Sequence, residues 1–426
     1  MTLTRRRALA LPALGGLAAL AGCASPPRDA ADRPLGWAGA VVPGDASPTG
    51  MPARPGRVFD VHDRAGLDAA LRLGDAPKLI RVHALIDLCP GDAEAFRDPA
   101  FDADAFDRAF DPATWGRGDP AGPLEDARRR SAQRQARAAT VRLPSNTTLV
   151  GAAPGAGFTR GMLLLEQVRN VVLRDLHLRD AYDHFPEWQP RDNGHGEWNS
   201  AYDNLSLRGA RRVWVDHCHF DDGHHPDRLE PQRLGQRVQH HDGLLDITHG
   251  SDLVTVSWCR FQGHDKTLLI GGGDARTGDD GLLRVTLHHN HFDACKERTP
   301  RVRFGRVHVA SNLFSAGHAA DFGYSLGVGL RSRLVSDDNA WELPAVIPAH
   351  RLLRRLGGSA LLDRGNRLNG RPVDLRAAWN AAHPDEPLSA DVGWRPEDAY
   401  DAAALRTAHP DRLAERIRAE AGPRLR

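Results

Sequence analysis

The sequence predicts an all-β chain wound as a parallel β-helix with loop insertions, and three observations predict it. First, the pattern Val213-Trp214-Val215-Asp216-His217-Cys218-His219-Phe220 returns at Val254 to Phe261, Val285 to Phe292 and Val307 to Phe314, with looser copies starting at Val171, Leu334 and Leu361. Its order is apolar, any, apolar, two polar, a small polar residue, any, aromatic. Second, the starts lie 42, 41, 31, 22, 27 and 27 residues apart, so one strand-and-bend unit repeats with loops of variable length. Alternation of period 2 gives strands, and a 22-residue coil is too short for a crossover helix. Third, the sixth position holds Asn290, Asn312, Asn339 and Asn366, which would stack as an amide ladder at a bend, with Cys218 and Cys259 in the same place on earlier coils. A β-sandwich with chance similarity between strands is the competing fold; the regular sixth position argues against it.

The elements follow in chain order. Residues 1–23 read as a signal peptide: Arg5-Arg6-Arg7 precedes an apolar run from Ala8 to Ala21, too short to span a bilayer. Thr4-Arg5-Arg6 suits a twin-arginine route, and Leu20-Ala21-Gly22-Cys23 resembles a lipoprotein box in which Cys23 is lipidated. Residues 24–57, rich in Pro, Ala, Gly and Asp, fit a flexible tether. The remaining 58–426 form one domain. Leu67 to Leu73 predicts a short amphipathic helix that caps the open end of the coils, followed by a strand from Leu79 to His83. Residues 92–137 predict an inserted loop with one helix whose arginines (Arg128 to Arg130, Arg134, Arg137) face solvent. The coils are expected to begin near Arg142, and the tail 370–426 to pack along them and end in a helix near Asp411 to Ala421.

Composition excludes some partners. The formal charge is +1 with 26% charged residues, so no global field points to nucleic acid or membrane, and contact with a membrane would come only through a lipid on Cys23. Cys89, Cys218, Cys259 and Cys295 show no metal spacing and read as buried thiols or at most one bridge. Basic residues are nearly all Arg; Lys78, Lys266 and Lys296 are the lysines, which singles out any Lys inside a motif.

Two constellations carry chemistry. Asp242 and Asp246 are four apart in an extended segment, hence on one face, and Asp203 lies one coil earlier. Three oxygen donors on neighbouring coils suit Ca²⁺, with water or substrate completing the shell; the alternative is solvated loop aspartates. The second is Arg298-Thr299-Pro300-Arg301-Val302-Arg303 with Lys266 on an adjoining coil, a basic wall that could clamp anionic groups of a polymer. Pro300 excludes helix there, and structural pairing with nearby aspartates is the alternative. His224-His225 and His240-His241 read as loop residues near the cleft.

Trp214-Val215-Asp216-His217, Asp242-Gly243-Leu244-Leu245-Asp246, Thr255-Val256-Ser257-Trp258, His264-Asp265-Lys266, His288-His289-Asn290 and Arg298 to Gly305 follow one another as in pectate lyases. The chain resembles the main bacterial family of these enzymes from about Val58 to Trp394. The resemblance implies a right-handed, single-stranded parallel β-helix and calcium-dependent β-elimination on polygalacturonate to 4,5-unsaturated products. It implies metal binding by Asp203, Asp242 and Asp246, substrate carboxylates held by Lys266 and Arg303, and Arg298 as the base. Where some members carry a further acidic residue, this chain has Ala201. The insertion 92–137 resembles that of one bacterial subgroup. An exported, monomeric enzyme acting on polymer is expected.

The chemistry is consistent with that implication. Removing a proton α to a carboxylate builds charge on an anionic group, and a divalent ion with two cationic side chains offsets it. Arginine is an uneasy base because its pKa exceeds about 12. Neighbouring cations would have to disfavour its charge, so an alkaline optimum is expected. Other readings are a pectin lyase acting on methyl-esterified polymer without Ca²⁺, a hydrolase using paired carboxylates, and a non-catalytic polysaccharide-binding β-helix.

Overall fold

A computed structural model of the chain describes residues 33–43, 45, 57–407 and 409–425; Cys23 and the signal segment lie outside them. The chain passes in turn through three sheets, two of ten strands and one of eight, and each coil adds a strand to each. Pairing within the stacks is parallel apart from a terminal pair, Arg367–Leu368 with Arg371–Pro372. The repeat is in register: Val213 lies beside Val254, Val254 beside Val285 and Val285 beside Val307. This is the parallel β-helix that the spacing predicts.

The repeat's internal order has a physical cause. Its apolar positions point inward and are fully buried, Val254, Val256, Val285 and Leu287 among them. Its fifth residue turns the corner in the left-handed region: φ is 50° at His217, 52° at Trp258, 56° at His289 and 51° at Ser311. That conformation costs roughly 1 kcal/mol per non-glycine residue, so the coils repeatedly accept local strain to bend between sheets. The eighth residue stacks as an aromatic column from Phe220 through Phe261, Phe292 and Phe314 to Trp341, with centroids 4.7–5.0 Å apart.

The sixth-position ladder forms as expected. Asn290, Asn312 and Asn339 each donate a backbone N–H to the side-chain oxygen of the next asparagine, at 2.9, 2.9 and 2.8 Å. Cys259 donates to Asn290 (2.9 Å), and the Cys218 amide meets the Cys259 sulfur at 3.4 Å, so the two thiols extend the same column. Asn312→Leu removes the acceptor for two donors of Asn290 in a dry interior. Each buried polar group left unsatisfied costs about 1–3 kcal/mol, so a loss of roughly 3 kcal/mol is expected in urea unfolding. A loss below about 0.5 kcal/mol would mean that the ladder contributes little.

Four expectations are corrected. The coils begin before Arg142: Val58–Val61, Lys78–Val82 and Leu85–Asp87 already belong to the sheets, and the insertion interrupts them. The insertion holds four helices, α2 (Ala93–Phe96), α3 (Ala103–Ala109), α4 (Pro112–Trp115) and α5 (Pro123–Ala139), after α1 (Arg64–Leu71). Its arginines are not all solvated. Arg128 is buried, bound to Glu125 at 2.8 Å and to the Phe185 carbonyl at 2.7 Å, while Arg130 and Arg134 converge on Asp98. Part of the segment read as tether is also fixed. Trp37 is buried against Trp394 and Tyr400, and the amides of Trp37 and Ala38 donate to Thr286 and Thr255.

Helix α1 starts at the N-cap Asp63, whose carboxylate accepts from Gly66 N–H, and buries Leu67 and Ala70. The tail carries α6 (Leu375–Ala382) and α7 (Leu413–Glu420), the latter packing Leu413 and Ile417 on Leu313. All four cysteines in the described residues are buried free thiols. No helix among the described residues is long and apolar enough to cross a membrane.

Candidate active site

The site lies on the outer face of the eight-stranded sheet. Its strands include Leu205–Arg208, Leu245–Thr248, Leu268–Ile270, Arg301–Val302 and Leu326–Gly329. Asp246 stands between buried Leu245 and Ile247, so the alternation of the strand turns its carboxylate outward. Asp203 sits in the bend before the preceding strand and accepts a 2.9 Å hydrogen bond from Gly243 N–H. A side chain at residue 243 would place its Cβ 2.7 Å from Asp246 Oδ1 and 3.0 Å from Asp203 Oδ1. Only glycine leaves room for two carboxylate oxygens to face one point there.

That proximity shows in the ionisation. Burial, then the neighbouring Asp242, pushes the Asp203 carboxyl up to about 7. Burial and then the charges of Asp203 and Asp242 raise Asp246 well above the usual carboxylate range. Two buried acids that resist ionisation side by side are what a hard cation would relieve. Asp242 does not join them. Its side chain is 41% exposed and lies 3.7 Å from Lys266 Nζ. Among the described residues no three acidic, histidine or cysteine side chains gather closely enough to hold a metal. Asp203 and Asp246 therefore fit a divalent ion, whereas the expected third ligand is turned toward a lysine that competes for it.

The basic residues stand on the following coils. Lys266 lies across from Glu297 in the sheet and approaches Asn199 Oδ1 at 3.5 Å. Arg298 occupies the bend with φ of 59°, its Nε 3.2 Å from Glu297 Oε1. Burial alone would lower its pKa, but the nearby acids, Glu297 first, prevail and hold it above the ordinary value. Among the protein's own side chains, carboxylates outweigh cations around this guanidinium. Arg303 donates to Asp274 (2.6 Å) and to the Gly271 carbonyl (2.9 Å). Arg301 and Arg303 flank inward-pointing Val302 and share the outer face, as expected.

Several supporting contacts were not foreseen from sequence. His264 is buried between Asp222 (2.8 Å) and the Asp242 carbonyl (2.8 Å), fixing the backbone that carries Asp242. Asn199 reaches Lys266 from the hairpin Glu187–Gln189/Glu197–Asn199, which no spacing rule connects to this coil. The histidines lie in loops, as expected; His225 and His241 both bind Asp180, and His240 stacks on Tyr182 with centroids 4.3 Å apart.

Comparison with known proteins narrows the reading. A family model described as pectate lyase matches residues 123–387. A pectate lyase of Bacillus subtilis (strain 168) is 37% identical over 87% of this chain and 88% of its own length. Pectate lyase D of Dickeya chrysanthemi is 32% identical over 75% of each chain. A solved pectate lyase bound to hexasaccharide superposes with a TM-score of 0.83 at 34% identity, covering 91% of this chain and 96% of that one. A thermostable pectate lyase gives 0.84 at 36% identity, covering 91% and 96%. Fold and site together define a polysaccharide lyase built on a parallel β-helix. The chain belongs to the pectate lyase family.

Proposed function

We propose that this protein cleaves α-1,4-linked polygalacturonate by calcium-dependent β-elimination, releasing 4,5-unsaturated oligogalacturonides. The observation that supports it is the facing pair Asp203 and Asp246 across Gly243, on coils next to Lys266, Arg298 and Arg303. Asp203, Asp246 and, once released from Lys266, Asp242 would hold Ca²⁺. When bound, the ion would supply positive charge to the substrate carboxylate and cancel the charge that the aspartates place around Arg298.

Arg298 is the residue sited to take the C5 proton. The C5–H electron pair becomes the C4=C5 double bond, the C4–O bond breaks, and the leaving oxygen takes a proton from water. Lys266 and Arg303 carry the charge that grows on the uronate carboxylate while the proton departs. Their present partners, Asp242 and Asp274, are both more than a third exposed in their side chains and are exchangeable for a substrate carboxylate. Lys266→Ala is expected to lower kcat/KM on polygalacturonate about 100-fold with an unchanged melting temperature, since one charge-assisted contact in a dry site is worth about 3 kcal/mol. A variant that instead melts early would make Lys266 a structural residue. Mass spectrometry of the products separates the reaction types: eliminated fragments sum to the parent mass, and hydrolysed ones gain a water.

A pectin lyase acting on methyl-esterified polymer is the second reading, and the crowded acid pair speaks against it because neutral esters need no metal bridge. A non-catalytic surface-binding β-helix is the third; it gives no reason for Arg298 beside the acids. For placement, we take the enzyme as an exported monomer whose Cys23 carries a lipid.

A further inference from the structure

Glu297 is a carboxylate in the middle of a wall of cations, where its charge weakens the attraction for a polyanion. Its backbone is fixed on the preceding coil: its N–H donates to the Asp265 carbonyl at 3.0 Å, and its own carbonyl accepts from Thr267 N–H at 3.2 Å. Neighbouring residues of a strand point to opposite faces, so the side chains of 297 and 298 would not ordinarily meet. The left-handed backbone of Arg298, with φ of 59°, breaks that alternation and brings Glu297 Oε1 to 3.2 Å from Arg298 Nε.

The other carboxylate oxygen, Oε2, lies 3.9 Å from Arg354 Nη1, and Arg354 rests over the Tyr324 ring at 5.5 Å from its centroid. Arg354 therefore braces Glu297 on one side while Glu297 holds Arg298 on the other. The hold is through Nε alone: among the described residues the Nη atoms of Arg298 have no hydrogen-bond partner. A guanidinium is planar, so fixing Nε also fixes the direction of both Nη atoms.

We propose that Glu297 is a positioning residue for the elimination, gripping Arg298 by its Nε–H and leaving an Nη atom to take the C5 proton. This rests on the reading of Arg298 as the base. The grip selects the tautomer: Nε keeps its hydrogen for the carboxylate, so the neutral guanidine lacks one on Nη. The lone pair there accepts the proton from C5 and the guanidinium is restored. The same carboxylate also makes Arg298 harder to neutralise. Around the guanidinium stand Glu297, Asp242, Asp246 and the Tyr324 phenol, opposed by Arg301, Arg354 and Lys266. Of the acids, Glu297 is the one within hydrogen-bond reach.

The test compares kcat on polygalacturonate, from neutral to strongly alkaline pH, for the parent, Glu297→Gln and Glu297→Ala. Both variants lose the charge; Glu297→Ala alone also loses the oxygen that accepts from Nε. In both, the rise of kcat with pH begins about one pH unit lower, the size of one lost charge contact. On the alkaline plateau Glu297→Gln stays within about twofold of the parent, whereas Glu297→Ala falls about tenfold because its guanidine is no longer aligned. KM rises in neither. Glu297→Gln keeps the shape of the side chain, so its pH shift is readable even if Glu297→Ala folds poorly. Equal plateaus in all three proteins, equal losses in both variants, or a rise that does not move would overturn the proposal. If the parent cleaves nothing, the lyase reading falls and crystal structures decide the grip separately. A guanidinium displaced in Glu297→Ala but held in the parent and Glu297→Gln would keep it; one in the same place in all three would remove it too.

Discussion

Arg298→Ala is expected to lower kcat on polygalacturonate by about three orders of magnitude, within the range of 10²–10⁴ that a positioned acid–base group contributes. The expectation comes from where the guanidinium sits. It is held in a bend by a left-handed backbone, anchored on Glu297, and has four-fifths of its side chain out of solvent. Glu297 and Asp242 favour its charged form. A base must be neutral for a moment, so the enzyme has to remove part of that negative field first. Activity should therefore rise toward alkaline pH, and the rise should begin at lower pH as the cation is raised toward saturation. Unchanged thermal stability and unchanged Ca²⁺ affinity would mark the defect as one of proton transfer. Residual activity above about a tenth of the parent would remove Arg298 from the role of base.

Asp246→Asn is expected to weaken Ca²⁺ binding by at least 100-fold and to abolish activity at micromolar ion, because a carboxylate ligand to a hard cation is replaced by a neutral amide. The acid pair also fixes how the metal responds to pH. In the folded protein burial raises Asp203 to about 7 and, with the neighbouring acids, holds Asp246 well above the usual carboxylate range, so both bind protons that the unfolded chain releases near 3.8. The metal-free protein should accordingly lose stability as pH climbs from about 4 through 7, where the unfolded state holds fewer protons than the native one. Calcium must displace those protons, so its affinity should increase across the same interval and its binding should release them. Thermal melts at pH 5 and pH 8, with chelator and then with Ca²⁺, check this directly. A chelated protein that is equally stable at both pH values would mean that the pair is not protonated.

The coils were legible because their signal is redundant. The inward valines, the corner residue, the asparagine ladder and the aromatic column each repeat with the same offset, and each is satisfied only by stacking. Asp203, Asp246, Lys266, Arg298 and Arg303 stood out as candidates through their place in that repeat and through a family resemblance. What escaped is what the loops do. Trp37 reads as an isolated aromatic in a Pro- and Gly-rich stretch, and its pocket is assembled from Trp394 and Tyr400 far along the chain. Arg128 reads as one of a solvated run until Glu125, one helical turn earlier, and the Phe185 carbonyl bury it. Asn199 and Asp274, which contact Lys266 and Arg303, come from excursions whose return points no period encodes. Asp242 illustrates a different limit: spacing placed it beside Asp246, but in the absence of a cation its charge prefers Lys266.

The most direct measurement is near-ultraviolet absorbance during incubation of the protein with polygalacturonate, first with Ca²⁺ and then with excess chelator. Elimination conjugates a new double bond to the carboxylate and raises absorbance, whereas hydrolysis creates no such chromophore. The account predicts a rise with Ca²⁺ that stops on chelation. A rise indifferent to chelator, or chain cleavage without any rise, would contradict it.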